Sequence, residues 1–327
     1  MTPLRLGTRG SQLALFQANA VADLLRVRAG VASDIVVIRT SGDRLADAAL
    51  AQIGGKRLFV KEIEEALADR SIDLAVHSSK DMPAVLPDGL TIGAVLPRED
   101  ARDAVVLRAS GLRPEASGLS LEELTRALGT TPRIGTSSVR RTAQLARLLP
   151  GARFEPIRGN LETRLRKLDE GRYDALVLAA AGLKRLACGD RISALLPPDA
   201  CVPAPGQGII AVEVRSDDAA VRDAVAPIAD AAAAAALTAE RAVVTRLGGG
   251  CQMPIGAYAS LAGDELRLTA VVVSLDGARA ARAQAAGPWR DAGRIGRQTA
   301  ERLLAEGAGD ILADVEQARA AVEGLQP

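Results

Sequence analysis

The residues of this sequence best suited to bind anions are concentrated in one part of the chain. Between residues 133 and 185 there are twelve Lys or Arg against five Asp or Glu, whereas the whole chain has 41 against 40 and a formal net charge of +1. Guanidinium and ammonium groups bind carboxylates and phosphates alike. We therefore expect a local anion site in this block, and the alternative is a solvated basic face.

The clearest anion site in the block lies between Arg133 and Arg141. A short predicted strand ends in Gly-Thr-Ser-Ser, and a predicted helix begins around Ser138, Arg140 and Arg141. The N–H groups of the helix N-terminus, the hydroxyls of residues 136–138 and the two arginines would converge on one anion. Two cations in a first helical turn oppose the helix dipole, which indicates a bound negative partner. The alternative is an exposed basic turn.

Three further groups of residues could extend this anion site. They are Arg9 with Ser11, Arg158 with Arg164, and Lys184 with Arg185. The first group follows the first predicted strand and precedes a helix, so it repeats the arrangement at Arg140. In two α/β domains, such turns could face each other across a cleft at the switch points of the sheets. Charge alone does not decide between carboxylate and phosphate ligands.

Asp81 is the best candidate for proton transfer. It lies in the segment His77-Ser-Ser-Lys-Asp-Met-Pro, which follows an apolar strand and therefore sits at the carboxyl end of a sheet. His77 is the one histidine of the chain, and a lone histidine is more often structural than catalytic. A carboxylate is then the group left to shuttle protons or stabilise a cation. The alternative for Asp81 is a structural ion pair with Lys80.

Cys251 is the best candidate for covalent chemistry. It follows three glycines and precedes a predicted strand, so its thiol is sterically open. No histidine neighbours it in the sequence, which favours covalent attachment of a group over nucleophilic turnover. The alternative is a tight turn containing a small apolar residue. Cys188 and Cys201 form no CxxC pair with it, so neither a zinc site nor a disulfide framework is expected.

The elements that must position these residues alternate through the first two thirds of the chain, a pattern typical of parallel sheets covered by helices. Predicted strands are 4–8, 34–40, 73–77, 90–96, 104–108, 133–136, 153–157, 174–179 and 209–215. We expect Leu13, Phe16, Ala20 and Leu24 to form the buried stripe of the first helix. Leu161, Leu165 and Leu168 should do so in a helix that Asn160 caps.

The pattern changes after about residue 227. It predicts a helix over 231–247, two strands over 255–261 and 266–274, and two closing helices, which together form a separate α+β domain. The Pro- and Gly-rich segment 202–208 precedes a strand and is predicted to be a crossover or hinge between two lobes.

Several classes of protein are disfavoured by the composition. No apolar run approaches the roughly 20 residues of a membrane helix, and the N-terminus does not resemble a signal peptide, so we expect a cytoplasmic protein. Three Phe, two Tyr and one Trp leave little surface for base stacking, and the near-neutral charge argues against nucleic acid. One histidine makes a metal site unexpected.

The same segments, in this order, resemble the hydroxymethylbilane synthase (porphobilinogen deaminase) family of tetrapyrrole biosynthesis. The resemblance is carried by TRGSQLAL (8–15), GGKRLFVKE (54–62), HSSKDMP (77–83), GTSSVRR (135–141), RGN (158–160), AGLKR (181–185), PAPGQG (203–208) and GGCQMPIG (249–256). It implies two α/β domains like those of periplasmic binding proteins, with a central cleft, and a smaller C-terminal α+β domain. We expect these domains to comprise 1–96 with 203–226, 97–202, and 227–327.

The resemblance also assigns roles to residues. Cys251 would anchor a dipyrromethane cofactor through a thioether, and Asp81 would be the catalytic carboxylate. The cofactor would also be held by Lys80, Ser138, Arg140, Arg141, Arg164, Lys184 and Arg185. Substrate would be held by Arg9, Ser11, Phe59, Arg158 and Gln207. Lys56 and Lys61 would border a loop over the cleft, in which Arg57 departs from the glycine of the family pattern.

The implied reaction joins four porphobilinogen units head to tail. Each unit loses ammonia to give an azafulvenium cation that Asp81 stabilises, and hydrolysis finally releases the linear tetrapyrrole. A monomer without metal is expected. The first alternative is an anion-binding module, which would not need a glycine-framed cysteine and, if periplasmic, would need a signal sequence. The second alternative is a nucleic-acid binder, which the composition disfavours.

Overall fold

The computed structural model describes residues 2–44, 60–108, 118–250 and 252–324. The first part contains β1 (Leu4–Thr8), α1 (Gln12–Leu24), β2 (Ser33–Val37), α2 (Ser41–Arg44), α3 (Lys61–Ala68), β3 (Leu74–Ser78) and β4 (Leu90–Val95). The next contains β5 (Asp103–Leu107), α4 (Leu121–Leu128), β6 (Arg133–Gly135), α5 (Val139–Leu148), β7 (Arg153–Glu155), α6 (Leu161–Asp169), β8 (Ala175–Ala179), α7 (Ala180–Arg185) and β9 (Ala194–Leu196). The last contains β10 (Ile210–Arg215), α8 (Ala219–Val225), α9 (Ala231–Leu247), β11 (Ile255–Ala262), β12 (Glu265–Val273), β13 (Ala280–Pro288), α10 (Ala292–Ala305) and α11 (Ala308–Gly324).

Two five-stranded sheets share one topology. Their strand orders are β2-β1-β3-β10-β4 and β7-β6-β8-β5-β9. In each sheet the first three strands are parallel, and the fourth runs antiparallel to both of its neighbours. The prediction of α/β domains is therefore confirmed, but the sheets are mixed rather than purely parallel.

The antiparallel strand of each sheet is explained by the path of the chain. Residues 96–102 lead from β4 of the first sheet into β5 of the second, and residues 197–209 lead from β9 back into β10 of the first. Each crossing segment enters beside the carboxyl end of a parallel strand: Asp103 lies opposite Ala179, and Ile210 lies opposite Ser78. Both crossings therefore bring polar residues to the edges at which ligands bind in α/β sheets.

The remaining strands form a three-stranded antiparallel sheet in the order β11-β12-β13, packed against α9, α10 and α11. The predicted C-terminal α+β domain is confirmed, but its third strand was not predicted. The sequence of β13 is AARAQAAGP and lacks the β-branched residues that favour strands. Its inward-facing residues Ala281, Ala283 and Ala285 are buried in the same apolar core as α10.

The first helix buries a face that only partly matches the predicted one. Ala18 and Val21 belong to the core beneath the first sheet and Leu24 packs against it, whereas Phe16 is 43% exposed. Leu13 instead lies near Gly182 of α7, in the second α/β unit. The predicted stripe is therefore right for Leu24 and wrong for Phe16, because α1 contacts two units on different sides. The later stripe is confirmed, with Leu165 and Leu168 buried and Asn160 Oδ1 accepting a hydrogen bond from Thr163 N at 2.9 Å.

Within the described ranges, no helix is both long enough and apolar enough to span a bilayer.

Candidate active site

Lys80 and Asp81 lie at the carboxyl end of β3. The strand ends at Ser78, and a single 3-10 turn, Ser79–Asp81, follows, closed by a hydrogen bond from Met82 N to Ser79 O at 3.2 Å. Met82 is buried and anchors the turn, whereas Asp81 is exposed and Lys80 is half-buried. Among the described residues, Asp81 has no ion-pair partner within 4 Å. The turn therefore presents the carboxylate outwards from a fixed base.

Arg140 and Arg141 begin α5 in the second unit, as the sequence predicted. Ser138 is the N-cap, and its hydroxyl accepts a hydrogen bond from Arg141 N at 3.4 Å. Both arginines are buried, however, with 4% and 8% of their surface exposed. Two buried guanidinium groups need a compensating negative charge nearby.

That charge is Asp103, a residue the sequence reasoning missed. Its side chain is fully buried, and its oxygens lie 2.7 Å from Arg140 Nη1 and 2.9 Å from Arg141 Nε. Burial by itself would raise the pKa of Asp103, but the charges of Arg140 and Arg141 outweigh it and hold that pKa well below its usual range. The anion expected at the first turn of α5 is therefore, in part, a carboxylate of the protein itself.

Two further side chains complete the shell around Asp103. Gln207 is buried and donates from Nε2 to Asp103 Oδ1 at 3.0 Å and to Ala101 O at 2.6 Å. The Cys201 thiol donates to Asp103 Oδ2 at 3.4 Å, and burial, followed by the charge of Asp103, raises the pKa of Cys201 to about 12. Gln207 and Cys201 therefore lie behind the arginines, inside the protein. The thiol stays protonated near neutral pH.

The ammonium group of Lys80 is affected by the same cluster. Burial lowers the pKa of Lys80 to about 8; Arg141 and Arg140 add to the decrease, whereas Asp81 and Asp103 oppose it. Lys80 of the first unit and Ser138 and Arg140 of the second line the same pocket, so the two segments lie close together. The structure therefore brings the turn after β3 to the first turn of α5, whereas the sequence predicted that the turn at Arg9 and Ser11 would face it.

Arg164 belongs to the same neighbourhood. It is half-buried, and its Nε donates to Gly159 O at 2.8 Å. Burial lowers the pKa of Arg164, Arg141 adds to the decrease, and Asp81 opposes it. Arg158 lies half-buried in the loop before α6, and its carbonyl accepts a hydrogen bond from Lys167 Nζ at 3.2 Å. Arg164 can therefore extend the basic surface outwards from Arg141.

The N-terminal turn faces the same region from the first unit. Ser11 caps α1 by accepting a hydrogen bond from Ala14 N at 3.3 Å, and Arg9 is half-buried beside it. The next residue, Gln12, donates to Glu162 Oε1 in the first turn of α6 at 3.1 Å. The N-termini of α1 and α6 therefore meet across the cleft between the two sheets.

Lys184 and Arg185 lie beside the two crossing segments. Lys184 is exposed and pairs with Asp100 at 3.0 Å and Glu99 at 3.6 Å. Arg185 is half-buried and donates to Gly208 O at 2.7 Å; burial lowers its pKa, and Glu99 opposes that shift. In this structure both side chains are thus engaged with residues next to the crossings.

A pocket opens where the three units meet. It encloses about 590 Å³, including the open space at its mouth. The residues around it are Ser79, Lys80, Met82, Ala84, Ser138, Arg140, Ala204, Pro205, Arg241, Val244, Gly250, Met253 and Ile255. Lys80, Arg140 and Arg241 give this lining positive charge, the lining contains no Asp or Glu, and much of the remainder is apolar. Such a pocket suits a flat apolar ring that carries carboxylates.

Two predicted site residues, Cys251 and Phe59, lie outside the described residues, as do Lys56 and Arg57. The neighbours of Cys251 in the chain are described: Gly250 and Met253 line the pocket, and Gln252 accepts a hydrogen bond from Arg319 of α11 at 2.5 Å. Lys61 is exposed at the start of α3, and its Nζ lies 3.7 Å from Glu65 Oε1.

The described part of the chain contains no cluster of three His, Cys, Asp or Glu side chains arranged to hold a metal.

Comparison with known proteins decides the family. Residues 4–223 match the family model described as "Porphobilinogen deaminase, dipyromethane cofactor binding domain", and residues 234–305 match "Porphobilinogen deaminase, C-terminal domain". The chain belongs to the porphobilinogen deaminase family. The resemblance seen in the motifs is thereby confirmed, and with it the prediction of an enzyme.

Curated porphobilinogen deaminases match almost end to end. The protein of that name from Acidithiobacillus ferrooxidans (strain ATCC 53993 / BNL-5-31) is 48% identical over 96% of this chain and 99% of its own. The one from Geobacter metallireducens is 46% identical over 98% of this chain and 97% of its own.

Among solved structures, the second substrate-binding domain of a putative amino acid ABC transporter from Streptococcus pneumoniae Canada MDR_19A covers 68% of this chain and 90% of its own, with 13% identity and a TM-score of 0.41. A periplasmic substrate-binding protein of an ABC transporter from Coxiella burnetii covers 69% and 91%, with 12% identity and a TM-score of 0.40.

Proposed function

We propose that this protein joins four porphobilinogen units head to tail, with release of ammonia, on a dipyrromethane attached to Cys251, and releases hydroxymethylbilane by hydrolysis. The observation that carries the proposal is the pocket in which Lys80, beside Asp81, and Arg140 face Gly250, the residue before Cys251. A covalent anchor, a carboxylate and a basic wall are the three requirements of this chemistry.

The pocket is suited to the proposed cofactor in both shape and charge. Its apolar residues, Met82, Pro205, Val244, Met253 and Ile255, offer contact to pyrrole rings. Lys80 and Arg140 offer charge-assisted hydrogen bonds to the acetate and propionate side chains. When bound, dipyrromethane supplies the nucleophilic α-carbon to which the first substrate unit is joined.

We assign Asp81 to the chemical step. Loss of ammonia from the protonated aminomethyl group of porphobilinogen breaks a C–N bond and leaves a delocalised cation on the substrate. The exposed carboxylate of Asp81, held at the end of β3, would stabilise that cation through its charge. After the new C–C bond forms, the α-carbon loses its proton, and Asp81 would accept it. Asp81 then passes this proton on to the released ammonia, which leaves as ammonium.

We assign the basic residues to the carboxylates of the chain. Each added unit brings two carboxylates, so positive charge is required beyond the cofactor pocket itself. Arg140 and Lys80 would hold the cofactor, with Ser138, Arg141, Arg164, Lys184 and Arg185. Arg9, Ser11, Phe59 and Arg158 would bind incoming substrate. Gln207 was expected among them, but it is buried and hydrogen-bonded to Asp103 and Arg141, so we assign it to supporting those two side chains.

We propose that the chain is organised as 1–96 with 203–226, 97–202, and 227–327, and that it works as a cytoplasmic monomer without nucleic-acid or membrane partners. The sheets support the division, because β10 joins the strands of the first unit and β5–β9 form the second. The two crossings would let the lobes move apart as the product lengthens.

The experiment that tests the function is turnover with porphobilinogen. Four ammonium ions should be released for each hydroxymethylbilane formed. Asp81→Asn should reduce kcat by at least about 100-fold, because it removes the carboxylate charge from the reacting centre. Asp88→Asn is the matched control, since Asp88 is also exposed and lies in the loop before β4. No consumption of porphobilinogen by the wild type would refute the proposal.

A further inference from the structure

We infer that Arg241 is a positioning residue that holds the segment carrying Asp81 against helix α9, whose end leads into the turn before Cys251. The inference rests on the proposed function. Its central observation is a hydrogen bond from Arg241 Nη2 to the carbonyl oxygen of Ala84, at 2.8 Å. Ala84 lies three residues after Asp81, and both Ala84 and Arg241 line the pocket.

One face of α9 supports the whole Asp81 segment. Ala233 and Leu237 of α9 are buried in the same apolar cluster as Met82. Arg241 follows Leu237 by four residues and so lies on the same face, one turn further along. Met82 is thus held by apolar contact and Ala84 by a hydrogen bond, and the two contacts fix both the position and the direction of the chain after Asp81.

Helix α9 is itself fixed at the adjacent residue. Glu240 is fully buried; its oxygens accept hydrogen bonds from Arg98 Nη1 at 2.6 Å, Gly206 N at 2.6 Å and Ala259 N at 2.7 Å. These donors come from both crossings and from β11. Because Glu240 anchors α9 to both crossings, Arg241 can hold residues 82–84 in a constant place relative to them.

The same helix leads directly to the proposed cofactor anchor. It ends at Leu247, and Gly248 caps it in the left-handed conformation, with φ of 69°. The following turn contributes Gly250 and Met253 to the pocket. Arg241 therefore links the segment that carries Asp81 to helix α9, and the chain runs from the end of this helix towards Cys251. An error of about 1 Å between two reacting groups can reduce a rate about 100-fold.

The test compares Arg241→Met and Arg241→Lys with Arg246→Met. Arg246 lies on the same helix but is exposed and pairs with Glu301 of α10. We expect Arg241→Met to lower kcat and kcat/KM together by about tenfold or more, with KM changed less than about twofold. Arg241→Lys should recover part of the loss, because its ammonium group can still donate. Arg246→Met should behave as the wild type.

Two results would overturn the inference. One is unchanged kcat in both Arg241 variants. The other is a rise in KM at constant kcat, which would make Arg241 a carboxylate-binding residue instead. Should Arg241→Met not fold, Arg241→Lys alone decides by the same criteria. Failure of the proposed function would be seen separately, as a wild-type protein that neither carries dipyrromethane nor consumes porphobilinogen.

Discussion

Asp103 Oδ2 lies 2.7 Å from Arg140 Nη1, and both side chains are buried. The pair joins the first residue of β5 to the first turn of α5, and Arg140 in turn lines the pocket. A guanidinium held in this way keeps its charge and its direction without any ligand. The pocket is therefore organised for carboxylates before one binds, which reduces the cost of ordering its side chains.

Replacing Asp103 with Asn should destabilise the protein strongly. Asn keeps the shape but leaves two buried guanidinium groups without their negative partner, which costs about 3–5 kcal/mol of the free energy of unfolding. Urea denaturation measures the change. The control is Asp199→Asn, which breaks an exposed pair with Arg282 and should cost less than about 1 kcal/mol. Equal effects of the two substitutions would show that Asp103 is not needed to hold the arginines.

The amino group of Lys80 should titrate near pH 8. Burial lowers its pKa from the ordinary value to about 8, with a contribution from Arg141. The amine is therefore charged below pH 8 and becomes neutral, and so reactive towards acylating reagents, as the pH rises through 8. Competitive labelling of a Cys251→Ser protein across pH 6–11, read by peptide mass spectrometry, gives the midpoint.

The same titration tests whether Asp81 is close to Lys80. Asp81 raises the pKa of Lys80, so Asp81→Asn should move the midpoint below 8. Asp88→Asn should leave it unchanged. A midpoint that does not respond to Asp81→Asn would contradict the proximity of the two side chains.

Much of the site could be predicted from the sequence because its parts are local. Ser138 and Arg140 follow a short strand, and the order strand, polar turn, helix places them at a sheet edge. Asp103 could not be found in this way. It precedes the apolar run AVVL and lies 37 residues from Arg140, so the pairing exists only because 96–102 cross between the sheets.

Features set by tertiary packing were also the ones predicted incorrectly. The stripe of α1 was only partly right because the helix touches both α/β units. Strand β13 was missed because close helix packing favours alanine over β-branched residues. The mixed sheets follow from the double crossing, which the spacing of apolar runs does not reveal. Periodicity predicts an element, but the partner of each face depends on the path of the chain.

The contact between the two crossings should be sensitive to a single methyl group. Gly208 has φ of +87°, and a Cβ there would lie 2.2 Å from Glu99 O on the other crossing. Gly263, in the turn between β11 and β12, has φ of +62° and nothing within 4 Å of such a Cβ. We expect Gly263→Ala to lower the free energy of unfolding by about 1 kcal/mol, from backbone strain alone.

Gly208→Ala should lower the free energy of unfolding by at least about 2 kcal/mol more than Gly263→Ala does, because the backbone must move to relieve the clash. It should also disturb the hydrogen bond from Arg185 Nη2 to Gly208 O. Thermal and urea unfolding of both variants measure the difference. Equal costs would indicate that the crossings separate readily.

We expect Cys251 to carry a covalently attached dipyrromethane. Denaturing mass spectrometry of the intact protein, expressed in cells that make porphobilinogen, tests it most directly. We predict a mass above that of the bare chain by two porphobilinogen units less two ammonia molecules, with the addition mapped to the peptide containing Cys251 and absent from Cys251→Ala. A wild-type mass equal to that of the bare sequence, or an addition at Cys188 or Cys201, would contradict it.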